Sequence, residues 1–277
     1  MKVHISVDME GIAGICHEDQ AEAKNMDFQR MREFMTAEVQ AAVEGAKAGG
    51  ATDILVCDAH DTCRNLLIER LDDDVEIIEG APYELGMMGG ISSDFDASIL
   101  LGYHSMRDAH MGVIGHTYSY DFTELVINEV RIGESGLSAA IAGHFGVPVV
   151  MIAGEQLAVE EMRSLVPETL GVATKKGLGV YAARTVTPAK SRDLIRSGAK
   201  EAIVNISRVK PYSVSKPVRM EVTFTRVIMA QYVSKIPGVE RTGPKSVAYV
   251  AKNMLKGFDV FETMRMVAQV SGREGAL

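Results

Sequence analysis

Asp8 and Glu10 stand two residues apart at the end of Val3-His4-Ile5-Ser6-Val7-Asp8-Met9-Glu10-Gly11. Val3, Ile5 and Val7 alternate with more polar neighbours, the pattern of a half-buried strand. On an extended chain, residues two apart point to the same side, so the two carboxylates project together from the strand's end. Gly11 permits a sharp exit that leaves them at a sheet edge. Like charges held side by side repel, and a cation between them relieves the repulsion. A divalent metal is the simplest such cation. The plain alternative is a solvated strand end carrying two unrelated acids.

More polar residues fall at the ends of other expected strands. Asp58 and His60 follow the apolar run Ile54 to Cys57, His104 follows Ala97 to Leu101, and Glu134 follows a hairpin. Open parallel sheets bind ligands at the carboxyl ends of their strands. Two imidazoles with three or four carboxylates suit zinc, and carboxylates beyond the needs of one zinc suggest two metals bridged by an Asp. Each residue also has a structural reading. His60 could be an ordinary loop histidine, and His104 could cap a strand end. Glu134 could favour the N-terminus of the helix after it. Asp58 could orient His60 or cap a turn.

The elements that must position these groups follow from periodicity. A polar loop runs from Gly11 to Asn25, and Met31, Phe34, Met35, Val39, Ala42 and Val43 then mark an amphipathic helix from about Phe28 to Lys47, closed by Gly49-Gly50. With its flanking strands it makes a βαβ unit, which implies parallel strands and a right-handed crossover. Val75 to Ile78 reads as a further strand. Asn128-Glu129, between Phe122–Ile127 and Val130–Ile132, marks a two-residue hairpin turn. Ser135 to Phe145 is a small-residue helix, and Val147 to Ile152 a buried strand with Glu155 just beyond it.

Past about Gly171 the pattern becomes mixed. Helices are expected over Thr187–Ile206, Arg226–Lys235 and Phe258–Val270, with strands over Val218–Phe224 and Ser246–Ala251. The fold class is therefore α/β, a Rossmann-like parallel sheet over residues 1–172 with a second, smaller α+β domain over 173–277.

Composition narrows the function classes. The chain has 277 residues, 47% apolar and 24% charged, as expected of a globular protein with a substantial core. Its formal charge of −8, without a basic run, argues against nucleic-acid partners. No apolar run approaches the roughly 20 residues that span a bilayer, and no signal peptide is visible at the start. Cys16, Cys57 and Cys63 form neither a CxxC pair nor an even set, which suits a reducing cytoplasm. The chain has sixteen methionines; Met31 and Met35 lie four apart and Met264 falls in step with Phe261 and Ala268, helical spacings that read as core filling.

Several motifs stand in order along the chain: Ser6-Val7-Asp8-Met9-Glu10-Gly11, Asp58-Ala59-His60, Leu101-Gly102-Tyr103-His104, Gly115-His116 and Val130-Arg131-Ile132-Gly133-Glu134-Ser135-Gly136. Together they resemble the zinc-dependent D-aminopeptidase family of metallopeptidases, historically called dipeptide transport proteins. The resemblance covers roughly the first half of the chain, with SxDxEG its most specific piece. It implies two zinc ions per chain, with Asp8 bridging both, Glu10 and His60 completing one, and His104 and Glu134 the other. His116 would be the catalytic histidine, as nucleophile, proton shuttle or oxyanion stabiliser. The implied reaction removes the N-terminal residue, commonly a D-amino acid, from a short peptide, in a ring-like decameric homo-oligomer. Glu155 is a further expectation, as an anchor for the substrate's α-ammonium. Amide or ester hydrolysis at the same centre, or peptide binding without hydrolysis, are the competing readings.

Overall fold

The structure, a computed structural model, describes residues 1–81 and 84–273. β1 (Lys2–Val7) starts the chain, and the short α1 (Glu18–Ala21) lies in the loop that follows. α2 (Phe28–Gly49), β2 (Asp53–Asp58), β3 (Val75–Ile78) and β4 (Ala97–Tyr103) come next. β5 (Phe122–Ile127) and β6 (Val130–Arg131) precede α3 (Glu134–His144), β7 (Val149–Glu155) and α4 (Gln156–Leu165). β8 (Leu170–Gly179) and β9 (Ala182–Thr185) lead to α5 (Pro188–Val204). The chain then passes through β10 (Val218–Phe224), α6 (Val227–Val233), β11 (Glu240–Arg241) and β12 (Ser246–Ala251) to α7 (Met254–Ser271).

A seven-stranded sheet has the order β3-β2-β1-β4-β7-β8-β9 and is parallel except for the last pair. From β1 the chain winds outward to β2 and β3, then returns to place β4 on the other side. The order reverses between β1 and β4, and such a switch point opens a crevice at the strands' carboxyl ends. The mixed α/β class expected from the pattern is the class observed.

The sheet is buried on both faces. Val3, Ile5 and Val7 point with Ile99 and Leu101 toward a core shared with α2 and α5. The intervening Leu100 and Tyr103 point to a second core, formed with α3, α4 and α7. That core also covers a five-stranded antiparallel sheet, β11-β12-β10-β5-β6. The Asn128-Glu129 turn has positive φ at both residues (44° and 71°), the geometry that suits a two-residue hairpin.

The second sheet takes β5 and β6 from the first half of the chain and the other strands from beyond Val218. The expected boundary after residue 172 falls inside β8, and residues 274–277 of the expected second segment lie outside the described chain. The chain that leaves β4 of the first sheet enters β5 of the second, and β5 pairs there with β10.

Candidate metal centre

The end of β1 is pressed against the end of β4. The Asp8 amide donates to the Leu101 carbonyl at 2.9 Å and the Gly11 amide to the Gly102 carbonyl at 2.6 Å. A Cβ at Gly11 would lie 2.2 Å from the carbonyl oxygens of Gly102 and Tyr103, so only glycine fits. Gly102 meets the same constraint from the other side: a Cβ there would fall 2.0 Å from the Asp8 carbonyl, and φ is +66°. This contact of two backbones brings Asp8, Glu10 and His104 to one point.

The two carboxylate oxygens of Asp8 face different partners. Oδ1 lies 3.3 Å from His60 Nδ1, and Oδ2 lies 3.4 Å from His104 Nε2. Glu10 Oε2 sits 2.9 Å from His60 Nδ1, and Glu134 Oε2 sits 3.2 Å from His104 Nε2. His116 Nε2 is 3.8 Å from Glu134 Oε1, and its ring stacks on His104 with centroids 4.3 Å apart. The structure thus brings together all six residues singled out in the sequence: Asp8, Glu10, His60, His104, Glu134 and His116. All but His116 are buried.

Hydrogen bonds to backbone carbonyls select the tautomer of each imidazole. A carbonyl can only accept, so the nitrogen facing it carries the proton. His60 donates from Nε2 to Ala21, His104 from Nδ1 to Ser105, and His116 from Nδ1 to Ile114, each at 2.9 Å. In the neutral rings the opposite nitrogens carry lone pairs, and those lone pairs face carboxylates. Fixing one ring nitrogen so that the other can bind a metal is the usual support of a histidine ligand.

Glu10 Oε2 and His104 Nε2 are buried yet make no aligned hydrogen bond, although each lies within 3.5 Å of an opposing group. Buried polar atoms that converge in this way without aligned hydrogen bonds fit a cation between them. His104, His116 and Glu134 can offer one ligand atom each within 4.8 Å of one another, and so can Asp8, Glu10 and His104. The donor set of carboxylate oxygens and imidazole nitrogens suits zinc.

The electrostatics give the same account. Burial pushes Asp8 up to about 7, and the charge of Glu10 adds to the effect. Burial also opposes ionisation of Glu10 and Glu134, but the facing imidazoles outweigh it and hold both carboxyls below the ordinary range. Burial opposes charge on His60 and His104 as well. The surrounding carboxylates win, raising His60 well above its usual value and His104 to about 10. Without metal, then, protons on two imidazoles supply the positive charge this cluster requires. Burial and the neighbouring His104 lower His116.

Surrounding groups hold the segments that carry the cluster. Asp58 accepts from the amides of Asn65 (2.5 Å) and Leu66 (3.0 Å) and from Asn65 Nδ2 (2.7 Å), closing the turn that carries His60. Glu161 on α4 accepts from the amides of Gly133 (2.8 Å) and Gly136 (3.0 Å), fixing the N-terminus of α3 where Glu134 begins the helix. Glu155 is fully buried, and its oxygens accept from the Ser105 and Val113 amides at 2.8 and 2.9 Å. It is not among the residues that line the cavity opening onto the cluster, and its bonds give it a role in holding the chain there, beside the expectation of a substrate-amine anchor from its strand-end position. Among the other histidines, His4 is buried between Ser98 and Gly89, and His17 caps α1. Sequence reasoning missed Lys175, whose ammonium donates to the carbonyls of Glu10, Ile12 and Ile15. A lysine flanked by another lysine reads as surface, and only the fold buries it.

A cavity of about 760 Å³ opens onto the cluster, lined by Asp8, Glu10, His60, His116 and Glu134 on one side and by Tyr118, Glu262, Arg265 and Gln269 farther along. Its walls carry far more carboxylates than cations. An acidic groove at the mouth of a metal-type cluster can receive a small cationic molecule such as a free peptide amine.

This α/β scaffold, with its cluster at the switch point, belongs to the D-aminopeptidase family, whose model matches residues 1–263. The chain is accordingly an aminopeptidase, and the family resemblance of its motifs holds over the whole fold. A D-aminopeptidase of Bacillus subtilis (strain 168) is 31% identical over 269 residues, which span 97% of this chain and 98% of that relative. Among solved structures, the Zn-dependent D-aminopeptidase DppA from Bacillus subtilis, a self-compartmentalizing protease, matches with a TM-score of 0.95 at 31% identity. The match covers 97% of this chain and 98% of the other.

Proposed function

We propose that this aminopeptidase uses two zinc ions per chain to remove the N-terminal residue, of D configuration, from short peptides. Asp8 would bridge the ions, with Glu10 and His60 on one side and His104 and Glu134 on the other. The observation that carries this reading is the division of Asp8 between two partners, with Oδ1 toward His60 and Oδ2 toward His104. Three carboxylates and two inward lone pairs form a donor set that two divalent cations would neutralise. When bound, zinc supplies Lewis acidity, polarising a carbonyl and making a water acidic near neutral pH.

The chain's own groups support the rest of the reaction. With Nδ1 of His116 committed to the Ile114 carbonyl, Nε2 is the nitrogen open to the reaction. Its lowered pKa keeps the ring neutral at pH 7, so Nε2 can take a proton and return it to the leaving amine. Tyr120 stacks on the outer face of His116 at 4.7 Å and shields it from solvent. The acidic walls favour the substrate's α-ammonium.

Self-association into a ring would restrict the enzyme to small peptides. An exposed apolar group around the β8–β9 hairpin supports a homo-oligomeric contact: Leu178 and Val180 are each 59% exposed, Tyr181 50% and Met111 48%. Among the described residues no helix is long and apolar enough to cross a membrane, and the cysteine usage supports the cytoplasm as the site of action. Zinc analysis, together with a panel of D- and L-aminoacyl amides, esters and dipeptides, tests the reading. Two zinc ions per chain and turnover of D-configured dipeptides are expected. A fully zinc-loaded protein that hydrolyses none of the panel would overturn it.

A further inference from the structure

Tyr118 connects the metal-type cluster to the far end of the cavity. Its amide donates to Glu134 Oε1 at 2.6 Å, while its ring runs between Phe258 and Phe261, edge-on at 6.1 and 5.4 Å. The hydroxyl at the other end is buried and makes no hydrogen bond among the described residues; the nearby Met87 amide is not aligned with it. A Cβ on Gly86 would come within 3.1 Å of the same oxygen. A buried hydroxyl without a partner costs free energy that an acceptor on a ligand would recover.

Arg265 interacts electrostatically with Tyr118 and contributes to the same cavity wall. Glu262 binds one edge of its guanidinium, taking Nε at 3.1 Å and Nη2 at 2.7 Å. A guanidinium has a second bidentate edge, Nη1 with Nη2. No described residue bonds Nη1, and the side chain is 27% exposed, so that edge is both oriented and open. Elsewhere the cavity is predominantly acidic, lined by Glu18, Glu22, Asp61 and Asp121. The other lysine or arginine in this wall, Lys24, is largely exposed and paired with Glu22 at 3.0 Å, which leaves Arg265 as the half-buried cation that can receive a carboxylate.

We propose that the Tyr118 hydroxyl and the open edge of Arg265 bind the free C-terminal carboxylate of a di- or tripeptide substrate. The proposal rests on the peptidase reading and adds a length requirement to it. The tyrosine side chain is the ruler between the cluster and the carboxylate subsite. A peptide adds at most about 3.6 Å per residue, so one or two residues beyond the scissile bond cover that span. A longer peptide would have to bring its carboxylate past Arg265.

The test compares D-alanyl peptides of two and three residues as free acids and as C-terminal amides, using the zinc-loaded full chain. The readout is the ratio of kcat/KM for acid over amide. The wild-type ratio is expected to be about ten- to a hundredfold, the size of a charge-assisted contact, and to reside mainly in KM. Arg265→Gln should bring the ratio near one, Arg265→Lys should keep part of it, and Tyr118→Phe should lower it by a smaller factor. Zinc content and melting temperature are followed in every variant. A wild-type ratio near one overturns the subsite and leaves the peptidase reading intact. So does a ratio that survives Arg265→Gln, including one in which both substrates lose activity equally. A wild-type enzyme that hydrolyses neither acid nor amide overturns both readings.

Discussion

Lys175, on β8, is bound to the main-chain carbonyl of Glu10, directly beneath the centre that Glu10's carboxylate helps to form. The same ammonium donates to Ile12 at 3.1 Å and Ile15 at 2.5 Å, so one buried cation closes the loop that leaves β1. Burial lowers this lysine to about 8, with Glu155, Glu38 and Glu10 opposing the shift. Replacing it by Met leaves the buried carbonyls of Glu10 and Ile15 without a donor among the described residues, each costing about 1–3 kcal/mol, while Ile12 keeps only the Ile15 amide at 3.2 Å. Lys175→Met should therefore melt earlier and lose zinc from the Glu10 side. Dialysis against a chelator followed by metal analysis checks this; retention of both ions at wild-type affinity would show that Glu10 needs no such support.

Asp8 gives an ordered pair of outcomes. Its oxygens face the two halves of the cluster separately, so Asp8→Ala should empty both metal positions. His116 sits at the edge, 3.8 Å from Glu134 and stacked on His104. His116→Ala should keep the metal and lower kcat by about a hundred- to ten-thousandfold, the usual range for losing a general acid–base group. Metal content beside turnover distinguishes the roles. Two zinc ions retained in Asp8→Ala would remove the bridge, and zinc lost from His116→Ala would make that histidine a ligand.

Glu155 acts through the chain it holds. Its carboxylate gathers the amides of Ser105 and Val113, and the loop between them is flanked by His104 and His116. Glu155→Gln turns one acceptor into a donor facing an N–H, which destabilises the loop by about 1–3 kcal/mol. The expected signature is a lower melting temperature and a lower kcat with KM nearly unchanged. A rise in KM confined to substrates with a free amine would instead restore Glu155 as the anchor.

Much of the cluster is legible in the sequence, because its carboxylates and histidines follow apolar runs, alternating in Val3–Val7 and continuous in Ile54–Cys57 and Ala97–Leu101. Val218–Phe224 and Ser246–Ala251 were found as strands with their observed bounds for the same reason. β8 was not: its sequence, Leu-Gly-Val-Ala-Thr-Lys-Lys-Gly-Leu-Gly, contains three glycines and two lysines, and its strand character comes from pairing with β7. The sequence places the start of the helix after the hairpin at Ser135 and it begins at Glu134, so the proposed ligand itself opens the helix. Groups that hold the cluster are harder to find in the sequence than the cluster's own residues. Glu161, Lys175 and Tyr118 bond to backbone or lie in the cavity through tertiary contacts 15 or more residues away, which local pattern does not encode.

Glu38 offers a test of stability that stands apart from catalysis. It lies on α2, 2% exposed, with Oε1 accepting from Ser191 Oγ at 2.7 Å and from the Ala13 amide at 3.2 Å. Burial raises its pKa to about 7 from 4.5, although the bonds from Ser191 and Ala13 and the charge of Lys175 counter the shift. Below 4.5 the carboxyl is protonated in both folded and unfolded chains, and its contribution is intact. Between 4.5 and 7 the unfolded chain ionises while the folded one keeps its proton, so stability falls as pH rises. Above 7 the folded carboxyl ionises too and the loss levels off at about 3 kcal/mol. Glu38→Gln carries no such charge. Its unfolding free energy relative to wild type should therefore rise with pH across this window, and taking the difference between the two proteins cancels the titrations they share. Denaturant unfolding from pH 4.5 to 8 measures it, and a difference that stays constant over that range would mean Glu38 ionises in the fold as easily as in water.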